Sequence, residues 1–240
     1  MAETQQVPVA AVVGVGPGLG AALARRFAQK YAVAIIARNA EYLQSLAKDI
    51  GAAGGHVLTV PADMSDRAQV EAAFVSIRAR LGPPEVLLYN AGSGTWGTVT
   101  EITPEQYEDA WRVNAYGAFV CAKAVVPDLI ERGRGVLLFT GATAGVKAGP
   151  KSVAFGPAKF ALRGLAQSLA RDLGPKGIHV AWVNVDGVID IPSTRKRFPQ
   201  LQDDDVLKPD AIAETYWHLA HQDRSAWTME TEVRPFKEKF

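Results

Sequence analysis

The stretch Pro8-Val9-Ala10-Ala11-Val12-Val13-Gly14-Val15-Gly16-Pro17-Gly18-Leu19-Gly20 decides the fold. Pro8 to Val13 is a continuous apolar run, the pattern of a strand buried on both faces. A turn with four glycines in seven residues follows, and then a helix from about Gly18 to Lys30. Glycine lets the backbone turn tightly and approach a pyrophosphate with no side chain in the way. The helix start offers free N–H groups and a positive dipole end to the phosphates. The context of strand, turn and helix predicts a dinucleotide-binding unit. Gly14, Gly16, Gly18, Leu19 and Gly20 are its cofactor-facing residues. The bland alternative is a tight turn that needs glycine for positive φ.

Outward from that turn, apolar runs alternate with amphipathic segments. Strands are expected at 33–37, 56–60, 86–89, 136–140 and 178–184. Helices are expected at 40–53, 66–81, 104–132, 152–173 and 210–221. Gly54-Gly55 stops the second helix, and Thr103 with Pro104 starts the long one as N-cap and first helical residue. The stretch from Ile191 to Lys208 is polar and proline-punctuated and shows no clear period, and 230–234 reads as a last short strand. Strand–helix alternation with doubly buried strands gives an α/β fold, a Rossmann-type doubly wound parallel sheet flanked by helices. No repeat or linker divides residues 1–240, so a single domain is expected.

Apolar residues make up 48% of the 240 and charged residues 21%, the balance of a globular chain with a large core. The net charge of +1 gives no electrostatic case for nucleic acid, and Arg195-Lys196-Arg197 is too short to make one. A single cysteine, Cys121, excludes an intrachain disulfide and suggests a reducing, cytoplasmic setting. The histidines at 56, 179, 218 and 221 form no metal-ligand pattern, so no metal is expected. No run approaches the ~20 apolar residues of a membrane span, and the N-terminus lacks the build of a signal peptide.

At the end of the second strand, a carboxylate suits the ribose 2′-hydroxyl of NAD and an arginine suits the 2′-phosphate of NADP. Arg38 falls there, 18 positions after Gly20, and Asn39 can add a hydrogen bond. The expectation is NADP(H) in preference to NAD(H).

Five features occur in an order that resembles the short-chain dehydrogenases/reductases over nearly the whole chain. They are Gly14-x3-Gly18-x-Gly20, Asp63 beside Met64, Asn90-Ala91-Gly92, Asn114 in the long helix, and Lys159. The resemblance implies that Asp63 holds the adenine and Lys159 the nicotinamide ribose. Gly187 and Val188 would lie beside the nicotinamide, and the segment at about 191–208 would cover a small-molecule substrate. It further implies a homodimer or homotetramer packed through the helices at about 104–132 and 152–173.

The chain departs from that family where the proton is handled. The family's tyrosine lies four residues before its lysine, and Phe155 stands there. The family's serine lies thirteen residues earlier and three before a glycine, and both counts reach Ala142. Phenylalanine has no proton to give and alanine has no hydroxyl. Thr143, Thr140, Ser93, Tyr116, Lys147 and Lys151 are the candidate substitutes, and Trp96 is a candidate pocket wall. Where the family has Asn-Pro-Gly the chain reads Asn184-Val185-Asp186-Gly187. Asp186 is either a local turn former or a carboxylate facing the pocket. Three readings follow: an NADP(H)-dependent oxidoreductase with an altered proton donor, a non-catalytic NADP(H)-binding pseudoenzyme or sensor, and a cofactor-using enzyme of another reaction type.

Overall fold

In the computed structural model, which describes residues 7–238, strand β1 (Val9–Val13) is buried along its whole length. Successive side chains of a strand point to opposite faces, so Val9, Ala11 and Val13 enter one core and Ala10 and Val12 the other. That division repeats across a seven-stranded parallel sheet. Its strands are β1, β2 (Ala32–Ala37), β3 (Val57–Pro61), β4 (Val86–Tyr89), β5 (Gly135–Thr140), β6 (Ile178–Val185) and β9 (Glu230–Val233). The order is β3-β2-β1-β4-β5-β6-β9, so the chain reverses its direction of travel between β1 and β4. In open sheets of this kind, ligands sit beyond the carboxyl ends of the strands at that switch point.

Helices cover both faces. On one side α1 (Leu19–Phe27), α2 (Ala40–Ala52) and α8 (Pro209–Ala220) supply Leu23, Phe27, Leu43, Leu46, Ile212 and Tyr216 to the core. On the other, α3 (Arg67–Arg80), α5 (Gly117–Arg132) and α6 (Phe155–Leu173) supply Phe74, Ile77, Val125, Leu129, Leu162 and Ala166. The strands are apolar throughout because both of their faces meet helices.

The long helix is divided. After α4 (Pro104–Trp111), one π-turn spans Arg112–Tyr116 before α5 begins. The cause is Asn114, whose side-chain Nδ2 donates to the Ala110 carbonyl at 2.8 Å and to the Ser93 carbonyl at 3.1 Å. A side chain that takes the i−4 carbonyl loosens the α-helical ladder at that turn. By length and composition Pro104–Arg132 is apolar enough to cross a bilayer, against the sequence expectation. Its apolarity has a packing cause, because half of its most apolar window is buried inside the fold.

Three further differences bear on the site. The helix expected from Ser152 begins at Phe155, and Ser152 pairs with Gly97 in a one-residue bridge. The segment after Ile191 is ordered into α7 (Pro192–Arg197) and β8 (Val206–Leu207), which pairs in parallel with β7 (Val188–Ile189). Arg195 does not offer its charge to a ligand. It clamps Asp190 at 2.6 Å and Asp203 at 2.8 Å, tying the two ends of that segment together.

The start of α4 is as expected: Thr103 Oγ1 accepts from the Gln106 N–H and Gln106 Oε1 accepts from the Thr103 N–H. Thr103→Ala removes the cap, and a loss of about 1 kcal/mol in denaturant unfolding is expected with an unchanged m-value.

Candidate functional site

At the carboxyl edge of the sheet lie two adjoining lobes of one groove, about 810 Å³ and about 660 Å³. Both are bordered by Gly14, Gly16, Asn90, Gly92 and Gly94. The glycine turn is tight because the chain crosses itself there. Gly14 has φ +84°, and a Cβ on it would fall 2.3 Å from the Ala91 nitrogen. Asn90 Nδ2 donates to the Gly14 carbonyl at 2.9 Å and pins the crossing. Gly16 faces open space, so its backbone is bare toward the groove. The start of α1 carries no acidic residue, and Gly18 supplies no side-chain cap, which leaves that helix end available to an anion.

The smaller lobe is lined by Ala37, Arg38, Ala62, Asp63, Met64 and Ala91 among others. Arg38 has a side chain 79% exposed, and its Nη1 stands 3.9 Å from Asp63 Oδ2. Asp63 is shaped by its own turn, since Oδ1 accepts from the Ser65 N–H at 2.9 Å and from its hydroxyl at 2.8 Å. Asn39 is not part of this lining. Its Oδ1 accepts from the Tyr42 N–H and caps α2, so the structure gives it a helix-starting role.

The larger lobe holds Leu19, Ala142, Thr143, Phe155, Lys159, Gly187 and Val188 among its lining residues. Ala142 and Phe155 therefore do face one cleft, as the two counts along the sequence implied. The Phe155 ring lies against Trp96, centroids 5.0 Å apart, and makes an aromatic wall. Lys159 is on the same helix, one turn on, and its side chain is only 4% exposed as a residue. Its Nζ donates to the Thr140 carbonyl at 2.9 Å and stands 5.7 Å from the Phe155 ring. Burial pulls the Lys159 ammonium down to about 8, because the charged form is the one that burial penalises. Asn114 is fully buried behind this floor, and its Oδ1 has no hydrogen-bond partner. A Cβ on Gly92 would lie 3.2 Å from that oxygen and 3.6 Å from Lys159 Nζ. A side chain in place of Gly92 would press on both groups.

Asp186 takes neither of the two roles expected of it. It is buried, its carboxylate accepts from the Thr143 hydroxyl, and it forms an ion pair with Arg234. Arg234 follows β9, so the pair ties the loop after β6 to the sheet's last strand, and Thr143 brings in the loop after β5. Sequence reasoning missed Arg234, because nothing local to it signals a partner 48 residues away. Of the remaining candidates, Thr140 lines the larger lobe and Ser93 the smaller, each already bonded, and the others lie outside the lining. Tyr116 stacks on Trp111, centroids 5.5 Å apart, and Lys147 and Lys151 are exposed and outside the lining. Ser93 bonds Thr95, and Thr140 bonds Tyr216 at 2.7 Å. Ile191 packs onto the glycine turn: a Cβ on Gly18 would meet its Cγ2 at 2.7 Å. Among the described residues no cluster of metal ligands occurs.

The family model for short chain dehydrogenases matches residues 8–201. A 4-formylbenzenesulfonate dehydrogenase of Comamonas testosteroni is 30% identical over 234 residues, covering 92% of this chain and 93% of the relative. A short-chain dehydrogenase from Rhodopseudomonas palustris is 34% identical in structure-based alignment, with a TM-score of 0.83 and 95% and 99% of the two chains covered. A metagenomic short-chain oxidoreductase solved in complex with NADP is 27% identical, with a TM-score of 0.84 over 98% and 100%.

Removing the Asp186 carboxylate takes a partner from the half-buried Arg234 and leaves it Glu232, whose Oε1 stands 3.4 Å from its Nε. Asp186→Ala is expected to destabilise the fold by about 1–3 kcal/mol in chemical denaturation, the cost of losing one hydrogen-bonded charge partner. A loss below about 1 kcal/mol contradicts the assignment of that pair as structural.

Proposed function

This chain belongs to the short-chain dehydrogenase/reductase family of oxidoreductases, and we propose that it works with NADP(H) on a small molecule through an altered proton-donor arrangement. The observation that carries the reading is the groove itself. Bare glycine backbone, an uncapped helix start and a buried lysine line one continuous path at the switch point of the sheet.

The residues present fit a nicotinamide dinucleotide. Gly14 to Gly20 and the start of α1 would hold the pyrophosphate, with Leu19 beneath it. Asp63, Met64 and Ala91 would border the adenosine, and Arg38 would take the 2′-phosphate with its guanidinium fork. Asn90 fixes the turn, Gly92 leaves the approach open, and Lys159 would donate to the ribose beside Asn114. Gly187 and Val188 would border the nicotinamide. When bound, the cofactor supplies or accepts a hydride, which is chemistry no side chain here provides. The chain's part is to place the substrate against the Trp96–Phe155 wall and to exclude water. The segment 191–208 would cover it, with Ile191 and Thr194 already at the groove.

Two accompanying features agree with this reading. Tyr107, Trp111 and Phe119 on α4 and α5, with Phe160 on α6, are exposed apolar side chains, and a second copy of the chain would cover them in a homodimer or homotetramer. Cys121 is a buried thiol, which suits a reducing cytoplasmic setting.

The absence of both family hydroxyls also favours a second reading, a protein that holds NADP(H) without turning it over. A titration with NADPH and separately with NADH, followed by tryptophan fluorescence, tests the cofactor assignment. NADPH should bind more tightly, and Arg38→Ala should weaken NADPH about 10- to 100-fold while leaving NADH nearly unchanged. Equal loss for both cofactors removes Arg38 from the 2′-phosphate site, and binding of neither removes the oxidoreductase reading.

A further inference from the structure

We propose that the Lys159 ammonium is the catalytic acid of this pocket, giving its proton to the substrate oxygen in place of the missing phenol. The inference rests on the oxidoreductase reading above and deepens it.

The hydroxyls that line the larger lobe are those of Thr140, Thr143 and Thr194, and those of Ser152 and Tyr89 lie outside its lining. Thr143 donates its proton to the Asp186 carboxylate, which Arg234 holds as a pair. Thr140 Oγ1 and the Tyr216 hydroxyl are bonded to each other at 2.7 Å. Ser152 donates to the Gly149 carbonyl at 2.8 Å, and the Tyr89 hydroxyl to the Val113 carbonyl at 2.5 Å. Thr194 on α7 carries an aliphatic alcohol, a poor acid without an ionised partner. Ala142 and Phe155, in the family's two proton-handling places, carry none.

Lys159 has what those groups lack. An ammonium has three N–H bonds, and the Thr140 carbonyl engages one of them. Lys159 lines the larger lobe together with Gly92, where a Cβ would stand 3.6 Å from Nζ. Among the described residues, the only other ionisable side chain lining that lobe is Glu238. Asp186, in the loop after β6, pairs with Arg234 at the end of β9, and Arg234 also pairs with Glu232. Burial alone therefore sets the lysine's acidity, and a group near 8 is suited to proton transfer close to neutral pH.

The step balances with the dihydronicotinamide as reductant. The carbonyl carbon gains hydride and its π pair moves onto oxygen. One Lys159 N–H bond breaks as the O–H bond forms, leaving the alcohol, a neutral amine and the oxidised nicotinamide. Solvent reprotonates the amine. In the reverse direction the neutral amine takes the alcohol proton.

The test uses full-length protein, NADPH and 4-nitrobenzaldehyde as the probe carbonyl, from about pH 6 to about pH 10 to span the lysine range. Wild-type kcat should fall above about pH 8, where the ammonium is lost. Lys159→Arg keeps a cation but gives up no proton near neutral pH. With NADPH at saturation, as checked by tryptophan fluorescence, it should lose about 100-fold in kcat. Adding Phe155→Tyr to Lys159→Arg should restore turnover. A second readout does not depend on turnover: lysine carrying ¹³C at Cε should show one resonance, absent from Lys159→Arg, titrating near 8.

A flat pH profile, unchanged kcat in Lys159→Arg, or a lysine resonance titrating above 10 overturns the inference. Turnover by Ala142→Ser/Phe155→Tyr with none by wild type overturns it too, while leaving the oxidoreductase pocket standing. No turnover by either protein overturns both.

Discussion

Everything at the site depends on one close crossing of backbone. Gly14 runs so near Ala91 that no side chain fits between them, and Asn90 ties the two strand ends with a single amide. The crossing sits where the strand order reverses, so it splits the helices to either side and opens the groove between them. From it the glycine turn, the start of α1 and the loop to Gly92 all take their positions. The constraint is steric, and it explains why glycine recurs here while the flanking strands are large and apolar.

Charge is the second constraint, and the fold handles the half-buried Arg234 and the buried Lys159 in opposite ways. Arg234 is paired with Asp186 and Glu232, and Asp186, in the loop after β6, also takes the Thr143 hydroxyl of the loop after β5. Lys159 has only a carbonyl dipole for a partner, so burial costs it part of its proton affinity. A paired charge holds a structure together. A charge left with only a dipole is the one that remains available for chemistry.

Much of this was legible in the sequence, and the reasons differ by element. The strands of the parallel sheet declare themselves because both faces are buried, and Thr103-Pro104 marks a helix start by chemistry that is local. Phe155, Ala142 and Lys159 were placed by counting, and counting works because one helix carries two of them at fixed spacing. The failures are side-chain bonds that no apolar period records, two of them local and one between distant segments. Asn39 looked like a ligand because of its neighbour Arg38, but its side chain serves the helix that follows. Asp186 was read from its own turn, whereas its partner comes from the far end of the chain. The π-turn at Asn114 depends on a side chain competing with its own backbone, which no apolar period records.

The most direct measurement of the account is transfer of a labelled hydride. Protein loaded with NADPH deuterated at the nicotinamide C4 on the transferring face is mixed with 4-nitrobenzaldehyde for a single turnover, and the alcohol is analysed by mass spectrometry. The expected result is one deuterium on the carbinol carbon, with oxidised cofactor formed in equal amount. Bound cofactor that stays reduced, with no labelled alcohol from this or the opposite face, contradicts the account and leaves a groove that only holds its ligand.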